Sequence, residues 1–456
     1  MEASSNQPDL ISGLSDLILI HILSFLPSNL SGRTCILSQR WRHLWEQVPE
    51  LIFHDFSSAQ LFSFMTHRKS SKLRRFHVTA NRINFSRKYI IDQALGFCST
   101  QGVEELHLLF GGWYTPICSR YLLRAKTLSC WESSLRVLNL ESCHVSCPIK
   151  INLPKVVELC LSSVSMARGT FDHIITGCPS VESFEIAQCE VSFLRFHLPI
   201  LKRFVLNQCN ILEHIDISVP NLKIFKHEGR VESLETFVMR VENLQEAEFT
   251  MYDEWDCNQD RLVWGLRNLF QAVAQAEHLK VVCGGTQDKL FRIFNMNLMY
   301  KNVKCLVLKN ADWEFLMVVP AIIRLLPGLE NLDLSLPINP FFSPQVARKH
   351  YGMVKSLYFH TSELEKEFCK HLKDPMRSID CLSYSLRRID VRGFEAKNVQ
   401  IELLKFLVHN ASVLNVICFT DSNGSIARLL KYGKILMSCA INKNTKFLGL
   451  NSSIRH

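Results

Sequence analysis

The chain has 456 residues, 47% of them hydrophobic and 21% charged, with a formal net charge of +9 at pH 7. These proportions are typical of a folded chain and exclude a disordered one. No apolar run reaches the roughly 20 residues that a transmembrane helix needs. The first nine residues contain no basic and apolar signal pattern, so we expect a cytoplasmic or nuclear location, or both.

The segment 14–45 begins with a helix that is apolar on almost every side. Between Asp16 and Leu26 the only polar residues are Asp16, His21 and Ser24. A helix that is apolar all round must be buried on all sides. A module of a few dozen residues can bury one face only. The helix therefore predicts a partner that covers its second face.

The same segment resembles the F-box, a helical motif that docks onto the Skp-family adaptor of cullin-based ubiquitin ligases. The matching residues are Leu14, Asp16, Ile18, Leu19, Ile22, Leu23, Leu26, Pro27, Arg33, Leu37, Ser38, Arg40, Trp41, Leu44 and Trp45. The resemblance implies a three-helix F-box over residues 8–55. It also implies adaptor contacts by Leu14, Ile18, Leu19, Ile22, Leu23, Pro27 and Trp41.

Two residues depart from the F-box pattern at the start of this helix. Ser15 stands where the family usually has Pro, and Leu17 stands where an acidic residue is common. The hydroxyl of Ser15 is expected to cap the helix, since Ser is a preferred residue at that position. Gly32, inside the expected second helix, costs about 1 kcal/mol relative to Ala.

A repeated pattern of apolar residues follows the F-box-like segment. Its clearest copies are Leu135–Cys143, Val181–Cys189 and Leu201–Cys209, with apolar residues at the first, fourth and sixth places. Weaker copies begin at Val103, Val156, Leu222, Leu244, Leu279, Val303, Leu329, Val354, Leu386 and Val413. Most intervals lie in the range of about 20–29 residues that is typical of leucine-rich repeats. The pattern resembles the leucine-rich-repeat solenoids of plant F-box proteins.

The repeats predict an α/β fold with a parallel sheet on one concave face. Alternation along each strand directs the leucines into the core and the middle residues to the open face. Cys143, Cys189 and Cys209 are expected to turn inward where the chain bends. We expect the solenoid to span residues 101–375, with 56–100 as a linker and solenoid entry.

The open face of the sheet is the predicted binding surface, and a solvated polar face is the simpler alternative. Glu185, Arg203, Asn207, Lys226 and Tyr358 are the candidate residues for binding a target protein. Charges of both signs alternate along this face, which makes nucleic acid an unlikely ligand. The basic run His67–Arg75 is interpreted as a solvated linker, with nuclear import or phosphate binding as its alternative.

No motif in the chain indicates catalysis, a cofactor or a metal ion. Cys143 and Cys147 lack the second ligand pair of a zinc site, and a role in the repeat is preferred for Cys143. The loop that starts at Asp256 imitates a calcium loop, but Arg261 and Arg267 replace its Gly and Glu. No phosphate-binding loop or nucleophile motif is present. We therefore predict a chain that is not an enzyme.

The C-terminal part, residues 376–450, resembles the FBD domain and includes C-terminal repeats. The residues that carry the resemblance are Leu386–Phe394, Val399–Ala411 and Val413–Phe419. They predict a strand, a helix and a strand, because Leu403, Leu404, Leu407 and Val408 form a helical stripe. We expect this unit to cap the open end of the solenoid.

Together these resemblances imply a substrate-recognition subunit of an SCF-type ubiquitin ligase. The F-box would bind the adaptor and, through it, a cullin, while the repeats hold a target protein close to the conjugating enzyme. The alternative is a non-catalytic leucine-rich-repeat scaffold with a degenerate F-box, suggested by Ser15 and Leu17. A third, more distant possibility is a nucleic-acid-associated protein that uses residues 67–75 and binds with steep salt dependence.

Overall fold

The computed structural model describes fourteen stretches of the chain. They are residues 10–68, 72–81, 85–111, 120–146, 151–167, 169–209, 212–229, 236–251, 267–282, 299–309, 313–336, 379–395, 397–421 and 426–450. The chain divides into two compact units, an N-terminal unit of residues 1–191 and 195–205 and a C-terminal unit of residues 192–194 and 206–456. No helix among the described residues combines the length and the hydropathy that crossing a membrane requires.

The N-terminal unit starts with two short helices, α1 (Asp16–Ser24) and α2 (Ser28–Arg33). Three 3₁₀ turns follow at Thr34–Ile36, Trp41–His43 and Trp45–Gln47. The predicted third helix is thus replaced by tight turns. β-branched and aromatic residues in this stretch lower its helix propensity, which accounts for the difference.

The main sheet of the N-terminal unit is built from one strand per repeat. The strands are β1 (Glu50–His54), β2 (Arg75–Ala80), β3 (Glu105–Phe110), β5 (Val137–Glu141), β7 (Glu158–Ser162), β9 (Ser183–Ala187) and β11 (Arg203–Asn207), the last two residues of which belong to the C-terminal unit. Neighbouring strands from β1 to β9 pair in parallel. A smaller parallel sheet contains β4 (Tyr121–Arg124), β6 (Cys143–Ser146) and β8 (Ser165–Met166). The helices of these repeats are α3 (Ser58–His67), α4 (Phe85–Cys98), α5 (Ala125–Ser129) and α6 (Thr170–Gly177).

The C-terminal unit repeats the same plan. Its main-sheet strands are β13 (Ile224–Gly229), β15 (Glu246–Met251), β16 (His278–Val282), β17 (Cys305–Lys309), β18 (Asn331–Ser335), β19 (Arg388–Phe394), β20 (Val416–Asp421) and β21 (Lys446–Leu450). Each of them pairs in parallel with the next. The helices are α7 (Trp313–Arg324), α8 (Asp380–Tyr384), α9 (Asn398–Asn410) and α10 (Ile426–Cys439). Two further strands, β12 (His214–Ser218) and β14 (Thr236–Arg240), pair in parallel, and β10 (Phe193–His197) lies at the division between the units.

A left-handed residue follows the main strand in five repeats of the described part of the chain. The residues are Asp55, Ser142, Ser163, Gln188 and Gln208, with φ between 44° and 53°. Small or polar side chains tolerate this conformation better than β-branched ones. The turn that these residues make ends the strand and redirects the chain toward the back of the repeat.

The repeat cysteines turn inward as predicted. Cys143 and Cys189 are buried, and the Sγ of Cys189 donates to the carbonyl oxygens of Leu161 and Ala187 at 3.5 and 3.4 Å. The Sγ of Cys143 donates to the carbonyl oxygen of Glu141 at 3.5 Å. These weak hydrogen bonds satisfy backbone groups where the sheet bends.

The sheet begins before the predicted boundary at residue 101. β1 lies within the range predicted for the F-box, and β2 within the range predicted as linker and solenoid entry, yet they are its first strands. Two repeats are also displaced from their predicted starts. The repeat predicted to start at Leu279 starts three residues earlier, at the buried Ala276, so that Leu279 is the second residue of β16. The repeat predicted to start at Val413 starts one residue later, at the buried Leu414.

The FBD-like segment has the predicted order of strand, helix and strand, as β19, α9 and β20. The four residues of the predicted helical stripe, Leu403, Leu404, Leu407 and Val408, are all buried. The segment does not end the sheet, since β21 pairs with β20 and extends it by one more strand. It therefore adds repeats to the C-terminal unit.

Candidate functional site

One face of α1 forms the core of the N-terminal helical module. Leu19 and Leu23 are 0% and 1% exposed and pack against Leu44 and Val48. Four half-buried side chains surround this cluster: Leu14, Ile20, Leu26 and Trp41. The module thus buries one side of its first helix with its own residues.

The opposite face of α1 is apolar and exposed. Leu17, Ile18, Ile22 and Phe25 are 79%, 47%, 42% and 73% exposed. Further exposed apolar side chains of the module are Leu10, Ile11, Leu30, Ile36 and Leu37. We call Leu17, Ile18, Ile22 and the C-cap residue Phe25 the apolar face. Contiguous exposed surfaces of this kind mark sites of association with another macromolecule.

The predicted adaptor-binding residues divide between the two sides of the helix. Ile18 and Ile22 lie on the apolar face, whereas Leu14, Pro27 and Trp41 are half-buried. Leu19 and Leu23 are core residues and are not available for a surface contact, because Leu44 and Val48 already cover them. Leu17 and Phe25 are exposed beside Ile18 and Ile22, and the prediction omitted them.

Arg40 fixes the chain that leads into α1. Its Nε donates to Asp16 Oδ1 at 2.8 Å, one Nη donates to the carbonyl oxygen of Ser12 at 2.8 Å, and the other donates to that of Leu14. Ser15 caps the helix, since its Oγ accepts from the backbone N–H of Ile18 at 3.4 Å. The start of the helix is therefore held without the Pro that the F-box pattern usually has there.

The helical module packs onto the first repeat. The Oγ of Ser28 accepts from the backbone N–H of Ile52 in β1 at 2.8 Å. The ring of Phe64 lies against Gly32, where a Cβ would approach its Cζ to 2.7 Å. The glycine that weakens α2 thus makes room for an aromatic side chain of α3.

The polar face of the sheet in the N-terminal unit carries an ion-pair network on β1, β2 and β3. Arg74 contacts both Glu50 and Glu105 (2.8 Å to the latter), and Arg75 contacts the same two carboxylates. Burial alone would raise the pKa of Glu105, but the hydrogen bond from Arg75 and the charges of Arg75 and Arg74 hold it below its ordinary value. The end of the basic run 67–75 is therefore part of this face and not a solvated linker, while residues 69–71 lie outside the described residues.

Three histidines extend this network. The rings of His77 and His107 stack with centroids 5.0 Å apart, and His54 contacts His77 edge to face at 5.6 Å. Burial, with the charges of His107, His54 and Arg75, lowers the pKa of His77 to about 4. At neutral pH this imidazole is uncharged.

Two of the five predicted target-binding residues contact each other. Arg203 and Glu185 form an ion pair at 3.6 Å in the N-terminal unit. Asn207 ends β11, and its Oδ1 is buried with no hydrogen-bond partner among the described residues. Lys226 lies on β13 of the C-terminal unit, and Tyr358 lies outside the described residues.

In the C-terminal unit, Glu248 joins two lysines on neighbouring strands. The Nζ of Lys226 lies 2.7 Å from Glu248 Oε2, and Lys280 contacts the other carboxylate oxygen. The hydrogen bond to Glu248 raises the pKa of Lys226. Further along the face, Arg392 forms an ion pair with Asp333 at 2.7 Å. The face thus carries cations and anions in close alternation.

No group of three or more metal-binding side chains with a geometry able to hold an ion occurs in the described stretches. Burial raises the pKa of the Cys143 thiol, so this sulfur stays protonated and suits its contact with a backbone carbonyl. Cys147 and the loop Asp256–Asp260 lie outside the described residues.

The parallel strands of the described repeats, the inward cysteines at the bends and the polar strand face define a leucine-rich-repeat protein with a helical module ahead of the repeats. A family model described as "FBD-associated F-box protein At5g56370, LRR repeats" matches residues 91–265. F-box/LRR-repeat protein 25 of Arabidopsis thaliana is 30% identical over 185 residues, which cover 40% of this chain and 69% of that protein.

Two further Arabidopsis thaliana proteins match over longer stretches. Putative F-box/LRR-repeat protein At5g02930 is 26% identical, over 74% of this chain and 75% of that protein. FBD-associated F-box protein At5g60610 is 24% identical, over 89% of this chain and 98% of that protein. The chain belongs to this plant family of F-box proteins with leucine-rich repeats and FBD segments.

Proposed function

We propose that this protein is the substrate-recognition subunit of an SCF-type ubiquitin ligase. The observation that carries the proposal is the apolar face of α1. The helical module buries Leu19 and Leu23 with its own residues, and a partner that covered Leu17, Ile18 and Ile22 as well would lower the free energy by removing them from water. Each large aliphatic side chain taken out of water contributes roughly 1.5–3 kcal/mol. The occupant that the family resemblance implies is a Skp-family adaptor, which connects the chain to a cullin.

In this function the chain contributes binding and no catalytic group. The polar face of the repeats would hold a target protein, and the adaptor would hold the chain on the ligase. An acceptor lysine of the target then has a high effective concentration beside the charged conjugating enzyme. We propose Glu185, Arg203, Asn207, Lys226 and Tyr358 as target-binding residues, and a cytoplasmic or nuclear location, or both.

Co-expression of the full chain with a Skp-family adaptor tests the proposal. We expect a complex that co-purifies and that Ile18→Asp disrupts by at least about 100-fold in affinity, because a carboxylate would be buried without a partner. Ile441→Asp is the matched control, since Ile441 is 54% exposed and Ile18 is 47% exposed. A folded wild-type chain that does not bind the adaptor would contradict the proposal and favour the scaffold interpretation.

A further inference from the structure

Two cationic side chains and a hydroxyl lie in one cross-strand row of the C-terminal unit. Lys309 of β17 pairs in register with Ser335 of β18, which pairs with Arg392 of β19. Neighbouring strands are about 4.8 Å apart, so the row is about 10 Å long. Long lysine and arginine side chains at its two ends can reach a group that lies over Ser335.

A third cation lies diagonally beside this row. Lys280 of β16 is two residues before Val282, and Val282 pairs with Lys309. Side chains two residues apart on a strand lie on the same face of the sheet. Lys280 and Lys309 therefore approach each other from neighbouring strands. Burial, and then the neighbouring charge of Lys280, lower the pKa of Lys309, and the charge of Arg392 adds to the shift.

The acidic residues nearby do not neutralise all three cations. Lys280 contacts Glu248, and Arg392 contacts Asp333. Lys309 forms no ion pair within the described part of the chain. Arg392 uses one of its two Nη atoms for Asp333, and a guanidinium has five N–H donors in all. Donors for an additional anion are thus available at both ends of the row.

We propose that Lys280, Lys309, Ser335 and Arg392 bind the phosphate group of a phosphorylated peptide. A phosphorylated side chain carries a charge of about −1.5 to −2 and three acceptor oxygens. The ammonium group of Lys309, the hydroxyl of Ser335 and the N–H groups of Arg392 that Asp333 does not use supply donors for those acceptors. Lys280 adds a positive charge that is only partly balanced, since it shares Glu248 with Lys226. A carboxylate carries a single charge, which one of these cations would already balance.

The surroundings of the row favour a peptide over a nucleic acid. Glu248, Asp333 and Asp390 lie on the same face, in the row of residues two positions earlier in each strand. A polyanion would meet these carboxylates on three of the five strands β15 to β19, whereas a single phosphate on a chain of mixed charge would not. The inference deepens the proposed function and rests on it only in taking the ligand to be part of the target protein.

Fluorescence anisotropy with the full chain tests the site. The probes are three degenerate peptide pools that differ only in a central phosphoserine, serine or glutamate. We expect the phosphoserine pool to bind at least about tenfold more tightly than either other pool, since a phosphate accepts more charge-assisted hydrogen bonds than a hydroxyl or a carboxylate. Lys309→Ala should remove this difference.

Lys304→Ala is the matched control for this variant. Lys304 is an exposed lysine just before the same strand, and it pairs with Glu277 at 3.4 Å, outside the row. It should leave the preference for phosphoserine intact. Equal losses in the two variants, no preference for phosphoserine, or tighter binding of single-stranded RNA than of the phosphoserine pool would each overturn the inference. The Ile18→Asp chain should bind the phosphoserine pool like wild type, so a failure here is distinct from a failure of adaptor docking.

Discussion

At the scale of single residues, two glycines of the N-terminal unit have opposite surroundings. Gly177 ends α6 against the backbone of Ile151, and an added Cβ would lie 2.3 Å from that carbonyl oxygen. Gly96 lies within α4, and nothing comes within 4 Å of the position of an added Cβ. The first glycine is needed for close approach of two backbones, whereas the second only weakens a helix.

The two alanine variants should therefore change stability in opposite directions. Gly177→Ala should lower the free energy of unfolding by about 1–3 kcal/mol, since overpacking displaces the backbone. Gly96→Ala should raise it by about 0.5–1 kcal/mol through helix propensity. Denaturant unfolding monitored by circular dichroism measures both. A stabilising Gly177→Ala would show that the segment at Ile151 can move away without cost.

His77 predicts a pH dependence of stability. Burial, with the charges of His107, His54 and Arg75, lowers its pKa to about 4, from an ordinary value near 6.5. Because folding lowers this pKa, the stability that the neutral ring contributes is complete above pH 6.5. It is lost as the pH falls from 6.5 toward 4.

Melting temperature measured from pH 7.5 to pH 4.5 tests this dependence. His77→Gln should lose less melting temperature over that range than wild type, since the group that resists protonation is gone. The control is His197→Gln, which removes an exposed histidine of the same unit and should follow the wild-type curve. Parallel curves for all three proteins would contradict the assignment to His77.

At the scale of elements, the repeat pattern predicted most strands because its spacing determines which residues face the core. Val48 and Leu73 fit the same spacing ahead of β1 and β2, yet the predicted boundaries place β1 in the F-box and β2 in the linker and solenoid entry. β1 directly follows the F-box-like segment and β2 overlaps the end of the basic run 67–75, so both were interpreted through those neighbouring features. Ala276 stands where other repeats have a large apolar residue, so the sequence pattern places the start of this repeat at the next large apolar residue, Leu279.

The faces of α1 could not be predicted from its sequence. A helix with apolar residues in every direction gives no stripe that distinguishes the core from the surface. The prediction that Leu19 and Leu23 bind the adaptor rests on the F-box pattern. Their packing against Leu44 and Val48 shows that they are internal instead. By contrast, α9 has a single apolar stripe, and its buried residues were predicted correctly.

Two leucines of the C-terminal helices test that stripe. Leu404 of α9 is 2% exposed, and Leu430 of α10 is 56% exposed. Leu404→Ala should lower the free energy of unfolding by about 2–5 kcal/mol, because it leaves a cavity in the core. Leu430→Ala should change it by no more than about 0.5 kcal/mol. Urea unfolding compares the two, and equal effects would contradict the packing of α9.

At the scale of the whole molecule, the helical module is not independent of the repeats that follow it. β1 follows its last 3₁₀ turn directly and pairs with β2 over residues 50–54 and 75–79. Ser28 and Gly32 of α2 contact Ile52 and Phe64 in the first repeat. The helical module and the first repeat are therefore packed against each other, although the module also has its own apolar cluster around Leu19 and Leu23. Removing the module would damage the sheet that is proposed to bind targets.

Deletion of residues 1–55 should thus destabilise the N-terminal unit, whereas Ile18→Asp should not. The deletion removes the buried Leu51 and Phe53 and exposes the edge of β2, and an exposed strand edge promotes association between chains. Size-exclusion chromatography should show oligomers of the truncated chain and a monomer of the Ile18→Asp chain. A monomeric truncated chain that melts like wild type would show that the repeats do not depend on the helical module and β1. If the prediction holds, a comparison of captured proteins between wild type and Ile18→Asp separates ligase components, which are lost, from target proteins, which are retained.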